Sequence, residues 1–157
     1  MRFRRIASLI FLFLQMTVAA QEGVPYPSGY RSWTHVKSML INQGHPLYDA
    51  FGGIHHVYAN ERERAGYKNG RFADGSIIVL DLLAAKEGGS AVQEGERKVV
   101  GVMHRNTTKY KTTGGWGFEA FKGDGGERVV GAKAAEACYA CHTAQKDHNF
   151  IFSAWRK

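Results

Sequence analysis

The five residues Cys138-Tyr139-Ala140-Cys141-His142 constrain this chain more than any other stretch, and the chain has no other cysteines. Two thiols three positions apart, followed at once by histidine, form the attachment signature of c-type haem. The spacing has a geometric reason. Two intervening residues let both sulfurs reach the two vinyl groups of one porphyrin edge, and the next residue puts an imidazole under the iron. A bare C-x-x-C also suits a redox dithiol or half a zinc site. The adjacent histidine and the lack of a second cysteine pair argue against zinc. The expected cofactor is therefore one covalent haem c, with Cys138 and Cys141 as attachment points and His142 as axial ligand.

The first twenty residues predict export. Arg2, Arg4 and Arg5 precede an apolar run from Ile6 to Met16, which closes on Val18-Ala19-Ala20. The run is too short to span a bilayer and has the flanks of a secretory signal peptide. Residues 1–20 are read as that signal and 21–157 as a single haem domain, with the periplasm as the expected location. Covalent haem attachment outside the bacterial cytoplasm fits this reading. No later stretch is apolar and long enough to span a membrane.

The net charge of +7 shrinks without the signal, because three arginines leave with it and 18 basic residues then face 14 acidic ones. A mild excess of this kind suits docking to an acidic redox partner, or is an ordinary solvated surface. No basic stripe with interleaved aromatics points to nucleic acid. With both cysteines committed to haem, no disulfide is expected.

Pro25 to Tyr30 reads as an extended entry. Ser32–Leu40 is predicted helical, with Ser32 as N-cap and Trp33, Val36 and Leu40 at helical spacing. Four strands are predicted, over 53–59, 76–83, 98–104 and 115–121. The second is apolar on both faces at its centre, as a central strand is. Glycine-rich turns separate them. Gly131 to His142 returns to helix formers, and Asn149–Trp155 is a short apolar closing segment expected near the haem. The fold class is α+β: a mainly antiparallel β-sheet flanked by N- and C-terminal helices.

What faces the iron opposite His142 decides between electron transfer, gas binding and turnover. Beyond the first twenty residues the only methionines are Met39 and Met103, and none follows His142. That is unlike a small electron-transfer cytochrome. His55 and His56 are neighbours on a predicted strand, so their side chains point to opposite faces. A five-coordinate haem with one open face is the preferred reading.

Together these residues resemble the cytochrome P-460 and cytochrome c-prime-beta superfamily. The matching pieces are Tyr26-Pro27-x-x-Tyr30-Arg31-x-Trp33, Val57-Tyr58, Gly70-x-Phe72-x-Asp74-Gly75-Ser76, Gly114-Gly115-Trp116-Gly117-Phe118, the haem motif, and Lys146-Asp147-x-x-Phe150-Ile151-Phe152. The resemblance implies a small periplasmic homodimer with a mostly antiparallel sheet and a His-bound iron open on its distal side. It also implies a choice of chemistry. Cytochrome P-460 enzymes oxidise hydroxylamine with a lysine cross-linked to the porphyrin and a distal carboxylate as proton acceptor. This chain has Leu80 where the lysine is expected and Gly101 near the expected acid. Both departures point to the c-prime-beta branch, whose hydrophobic distal pocket binds nitric oxide and similar gases.

Phe72, Leu80 and Phe51 are the candidate distal residues, although ordinary core packing accounts for each equally well. Lys68 and Lys86 flank the strand as possible substitutes for the lysine, or as solvated side chains. Three functions follow: gas capture, sensing or detoxification; hydroxylamine or nitric oxide oxidation; and electron transfer with an upstream sixth ligand such as Met103 or His104.

Overall fold

The computed structural model describes residues 23–156 except residue 134. The signal segment 1–20 lies outside the described residues. Six strands form one antiparallel sheet in the order β1-β2-β3-β4-β5-β6, so each strand pairs with its neighbour in sequence. They are β1 (Thr34–Ile41), β2 (Gly53–Ala59), β3 (Ile77–Gly88), β4 (Ala91–Arg105), β5 (Trp116–Lys122) and β6 (Glu127–Arg128). Helices α1 (Tyr48–Phe51) and α2 (Glu61–Asn69) flank β2, and α3 (Ala140–His142) follows the sheet. The α+β expectation holds, and β2 to β5 overlap the four predicted strands, with β3 and β4 running beyond the predicted spans to a turn at residues 89–90. No helix among the described residues is long and apolar enough to cross a membrane.

One element needs correction. Ser32–Leu40 is not a helix: a 3-10 turn at Tyr30–Ser32 runs into β1. Strand β1 pairs along its length with β2, with a bulge between His35 and Lys37. The bulge inserts one residue and breaks the two-residue alternation. It leaves Val36 and Ile41 buried and the residues between them partly or wholly exposed. The broken alternation imitated a helical spacing in sequence.

Antiparallel partners point to the same side of a sheet, so the register sorts the core into two faces. On one face Val79, Val102, Val100 and Phe121 pack beneath Val24 and Tyr30 of the entry segment. Tyr26 meets the edge of the Phe121 ring at 5.1 Å. The buried Asp81 also lies here. It accepts from the Tyr30 hydroxyl at 2.8 Å and takes both Nε (2.6 Å) and a terminal nitrogen (3.0 Å) of Arg97. On the other face Ile78, Met103, Trp116 and Phe118 form a second cluster. Helix α2, the cysteine motif and the closing segment cover this second face through Tyr67, Cys138, Tyr139 and Ile151.

Candidate functional site

Cys138 ends up half-buried in the second apolar cluster, and Cys141 is exposed one helical turn later. The turn is unusual: a π-helical segment over Ala135–Tyr139 passes directly into α3. Helical residues three apart share a face, so both thiols leave the backbone on one side. Burial raises the Cys138 thiol pKa above its usual value, as for a sulfur in apolar surroundings.

His142 is fixed from three directions. Its Nδ1 lies 2.6 Å from the Phe150 carbonyl oxygen. Its ring meets Phe118 and Phe152, each with centroids 5.0 Å away. With Nδ1–H donating to the carbonyl, Nε2 keeps its lone pair, as a metal-ligating imidazole needs. Burial favours the uncharged ring, and the carbonyl contact partly opposes this. The backbone pays locally for that aim, since Asn149 and Phe150 both have positive φ, 57° and 65°. Neither residue is glycine, so the segment is held by its contacts. Among them, Phe150 N donates to Gln145 O at 2.7 Å, and the Phe150 ring occupies the space that a Gly114 side chain would take.

The wall beside the motif is apolar. Row by row, the face carries Ile78–Met103–Phe118 and then Val57–Leu80–Gly101–Ala120. Leu80 and Gly101 are direct cross-strand partners. A Cβ at Gly101 would meet the Leu80 Cβ at 3.5 Å, so the row has a shallow step at this point. Phe72 joins the same cluster, edge-on to Tyr67 at 5.6 Å and tilted against Trp116 at 6.1 Å. Phe51 does not join it: it ends α1, is 41% exposed, and offers its carbonyl to His55 Nε2 at 2.5 Å. Lys68 lies over the Trp155 ring at 5.8 Å, and Lys86 is exposed far along β3. His55 and His56 do point to opposite faces, His55 buried and His56 bound to Ser38 and Glu94. His104 turns to Tyr110 on the face away from the cysteines.

The family model for Cytochrome P460 matches residues 27–153, nearly all of the described chain. The chain belongs to the cytochrome P460 family. No curated protein matches it in a sequence search. Membership in the cytochrome P460 family makes it a haem protein of the P460 or c-prime-beta type, and the residues present fit that group. Two free thiols on one helical face, an imidazole with its outer nitrogen occupied by a carbonyl, and an apolar floor are what a haem edge, its iron and its ring require. The bound haem would supply an iron that accepts a ligand or an electron, while the chain supplies orientation and exclusion of water.

Sequence reasoning missed helix α2 and its buried acid. Asn60 caps the helix by accepting from Glu63 N at 2.9 Å. Asn60 followed by Glu63 three positions later is a capping-box pattern and was the available signal. Glu63 does not complete the box, because Asn60 N donates to Ile77 O instead. The Glu63 side chain turns inward and is fully buried.

Proposed function

We propose that this chain is an exported, periplasmic c-type cytochrome that binds nitric oxide or a similar small gas. In this reading Cys138 and Cys141 hold haem by two thioether bonds and His142 Nε2 binds iron. The opposite iron face stays open toward an apolar wall containing Leu80 and Phe72. The observation that carries the reading is the pairing of Leu80 with Gly101. The lysine of the hydroxylamine-oxidising enzymes is expected at Leu80 and their carboxylate near Gly101, and here Leu80 has no nucleophile and Val99 to Met103 contains no acid. Leu80, Gly101 and Phe72 carry no donor in their side chains and so stabilise bound dioxygen little, whereas nitric oxide binds ferrous iron without such help.

Absorption spectra of the purified holoprotein, ferric and ferrous, before and after nitric oxide, test this. A five-coordinate resting spectrum that changes on nitric oxide addition is the expected result. A six-coordinate low-spin resting spectrum would overturn it. So would a lysine–porphyrin bond in the haem-peptide mass together with hydroxylamine turnover.

One observation favours electron transfer as a second reading. Met103 is buried on the same face as the cysteines, paired with Phe118, which touches His142. Replacing Met103 with Leu leaves the spectrum unchanged under the gas-binding reading and converts it to high spin if the thioether sulfur is a ligand. The reading also includes a homodimer. Its support is a run of exposed apolar side chains along the chain, Met39 and Leu40 on edge strand β1 with Leu47, Tyr48 and Phe51 just after it.

A further inference from the structure

At the end of the sheet nearest α2, on the face that this helix covers, four wholly buried polar atoms or groups have no hydrogen-bond partner among the described residues, and a further one, His104 Nδ1, lies on the opposite face. The four are both carboxyl oxygens of Glu63, the Ser76 hydroxyl, Nε of Arg105 and Nε1 of Trp116. They belong to one neighbourhood. Arg105 N donates to Ser76 O at 2.8 Å, and Arg105 pairs with Trp116 across the sheet and stacks over its ring at 5.3 Å. Asn60, which caps the helix through Glu63 N, donates to Gly75 O and accepts from Ile77 N, fixing Glu63 above this corner.

Unpaired buried polar groups are costly, and four of them in one corner call for a shared partner. Arg105 Nε–H and Trp116 Nε1–H are donors, while a carboxyl and a hydroxyl can accept. Water satisfies such a set, since it bonds two to four polar groups at once.

The corner adjoins the haem-side cluster. Gly66, one turn after Glu63, packs on Phe72, which packs on Trp116, and Trp116 shares the cluster with Phe118 and Cys138. We propose that Glu63, Ser76, Arg105 and Trp116 form an internal hydrated proton site, and that Glu63 takes up one proton when the haem of the adjacent cluster gains an electron. In that step an external one-electron donor reduces ferric to ferrous iron, and a proton from bulk water forms an O–H bond at the Glu63 carboxylate. The inference rests on the haem reading above.

Burial raises the Glu63 carboxyl to about 8, against a lowering pull from Arg105, so both protonation states are accessible near neutrality. Arg105 of β4 and Tyr67 of α2 are the charged or titratable groups that act on it; burial keeps the Tyr67 hydroxyl protonated. No ion pair joins Glu63 to Arg105 among the described residues. The buried acids Glu119 of β5 and Asp81 of β3 are both engaged elsewhere, Glu119 by Arg128 and the Gly131 and Ala120 amides and Asp81 by Tyr30 and Arg97, and by register both face the opposite side.

The test is the reduction potential of the full holoprotein as a function of pH, for the natural chain and for Glu63→Gln. The expected coupling is roughly tenfold in the carboxyl's proton affinity, the size for unit charges about a nanometre apart in a protein interior. That shifts the potential by ~59 mV, falling as pH rises through the titration. Glu63→Gln should be flat over the same range. Reduced-minus-oxidised infrared difference spectra of the natural chain should gain a protonated-carboxyl C=O band that shifts in heavy water. They decide the matter alone if the variant does not load haem. A haem-loaded natural chain with a flat potential, a pH slope that persists in Glu63→Gln, or no such band overturns the proton site and leaves the haem reading intact. A chain that takes up no haem overturns both.

Discussion

Gly114 leaves the space that the Phe150 ring fills, and Phe150 in turn holds the His142 imidazole through its carbonyl. The absence of a side chain at residue 114 thus reaches the His142 imidazole. Gly114 also has φ of 65°, which other residues adopt at a cost. Gly114→Val should lower stability by about 1–3 kcal/mol through overpacking. It should also broaden or shift the haem absorption by releasing the imidazole. Urea unfolding and absorption spectra read the two effects. Gly101→Ala is the packing control, because its new Cβ meets only ordinary contact at 3.5 Å, and it should leave stability unchanged.

Covalent attachment has its own signature. In the double variant Cys138→Ala, Cys141→Ala, haem should become extractable by acidified organic solvent, while the natural chain keeps it. Extraction of haem from the natural chain would rule out thioether bonds.

Much of the sheet was legible because glycine-rich turns punctuate short β-branched runs. Strands β2 and β5 and the central parts of β3 and β4 carry that pattern, whereas the hairpin extension over residues 84–97 is polar and glycine-containing and did not show it. Strand β1 hid behind its bulge, where Val36 and Leu40 fell four apart. Helix α2 hid because Glu61 to Arg64 are charged and Gly66 is a poor helix former; it is held instead by the Asn60 cap and by Phe72 packing on Gly66. At the candidate site, the spacing of Cys138, Cys141 and His142 was the signal that singled them out. Phe150 was not, because its role is played by a backbone carbonyl set by positive φ, which no side-chain motif encodes.

Asp81 and Arg97 make a buried pair with side chains 3% and 4% exposed. Arg97 also reaches Asp124 in the turn after β5. Removing the Asp81 carboxylate leaves the buried Arg97 with Asp124 as its remaining partner and the Tyr30 hydroxyl without its acceptor, so Asp81→Ala should destabilise by about 3 kcal/mol. Chemical denaturation measures this. A loss below 1 kcal/mol would mean that Arg97 escapes to solvent.

Glu63 also predicts how stability varies with pH. Its folded value of about 8 exceeds its ordinary 4.5. Between those limits the folded chain keeps a proton that the unfolded chain has released. From this group, stability is therefore fully present at low pH and falls as pH rises toward 8, by up to about 1.4 kcal/mol per pH unit. Above that it is level. Glu63→Gln should remove this slope and be the more stable chain at pH 9, as thermal unfolding across pH would reveal.

The meander order of the sheet has a consequence for assembly. Every strand finds its partner in the segment just before or just after it, and the last pairing is complete before the cysteines occur in the chain. The floor can thus be laid down first, by local steps of low contact order. The tail that carries Phe150 closes onto it afterwards, so a chain cut short after His142 would present both thiols and still lack the carbonyl that orients the imidazole.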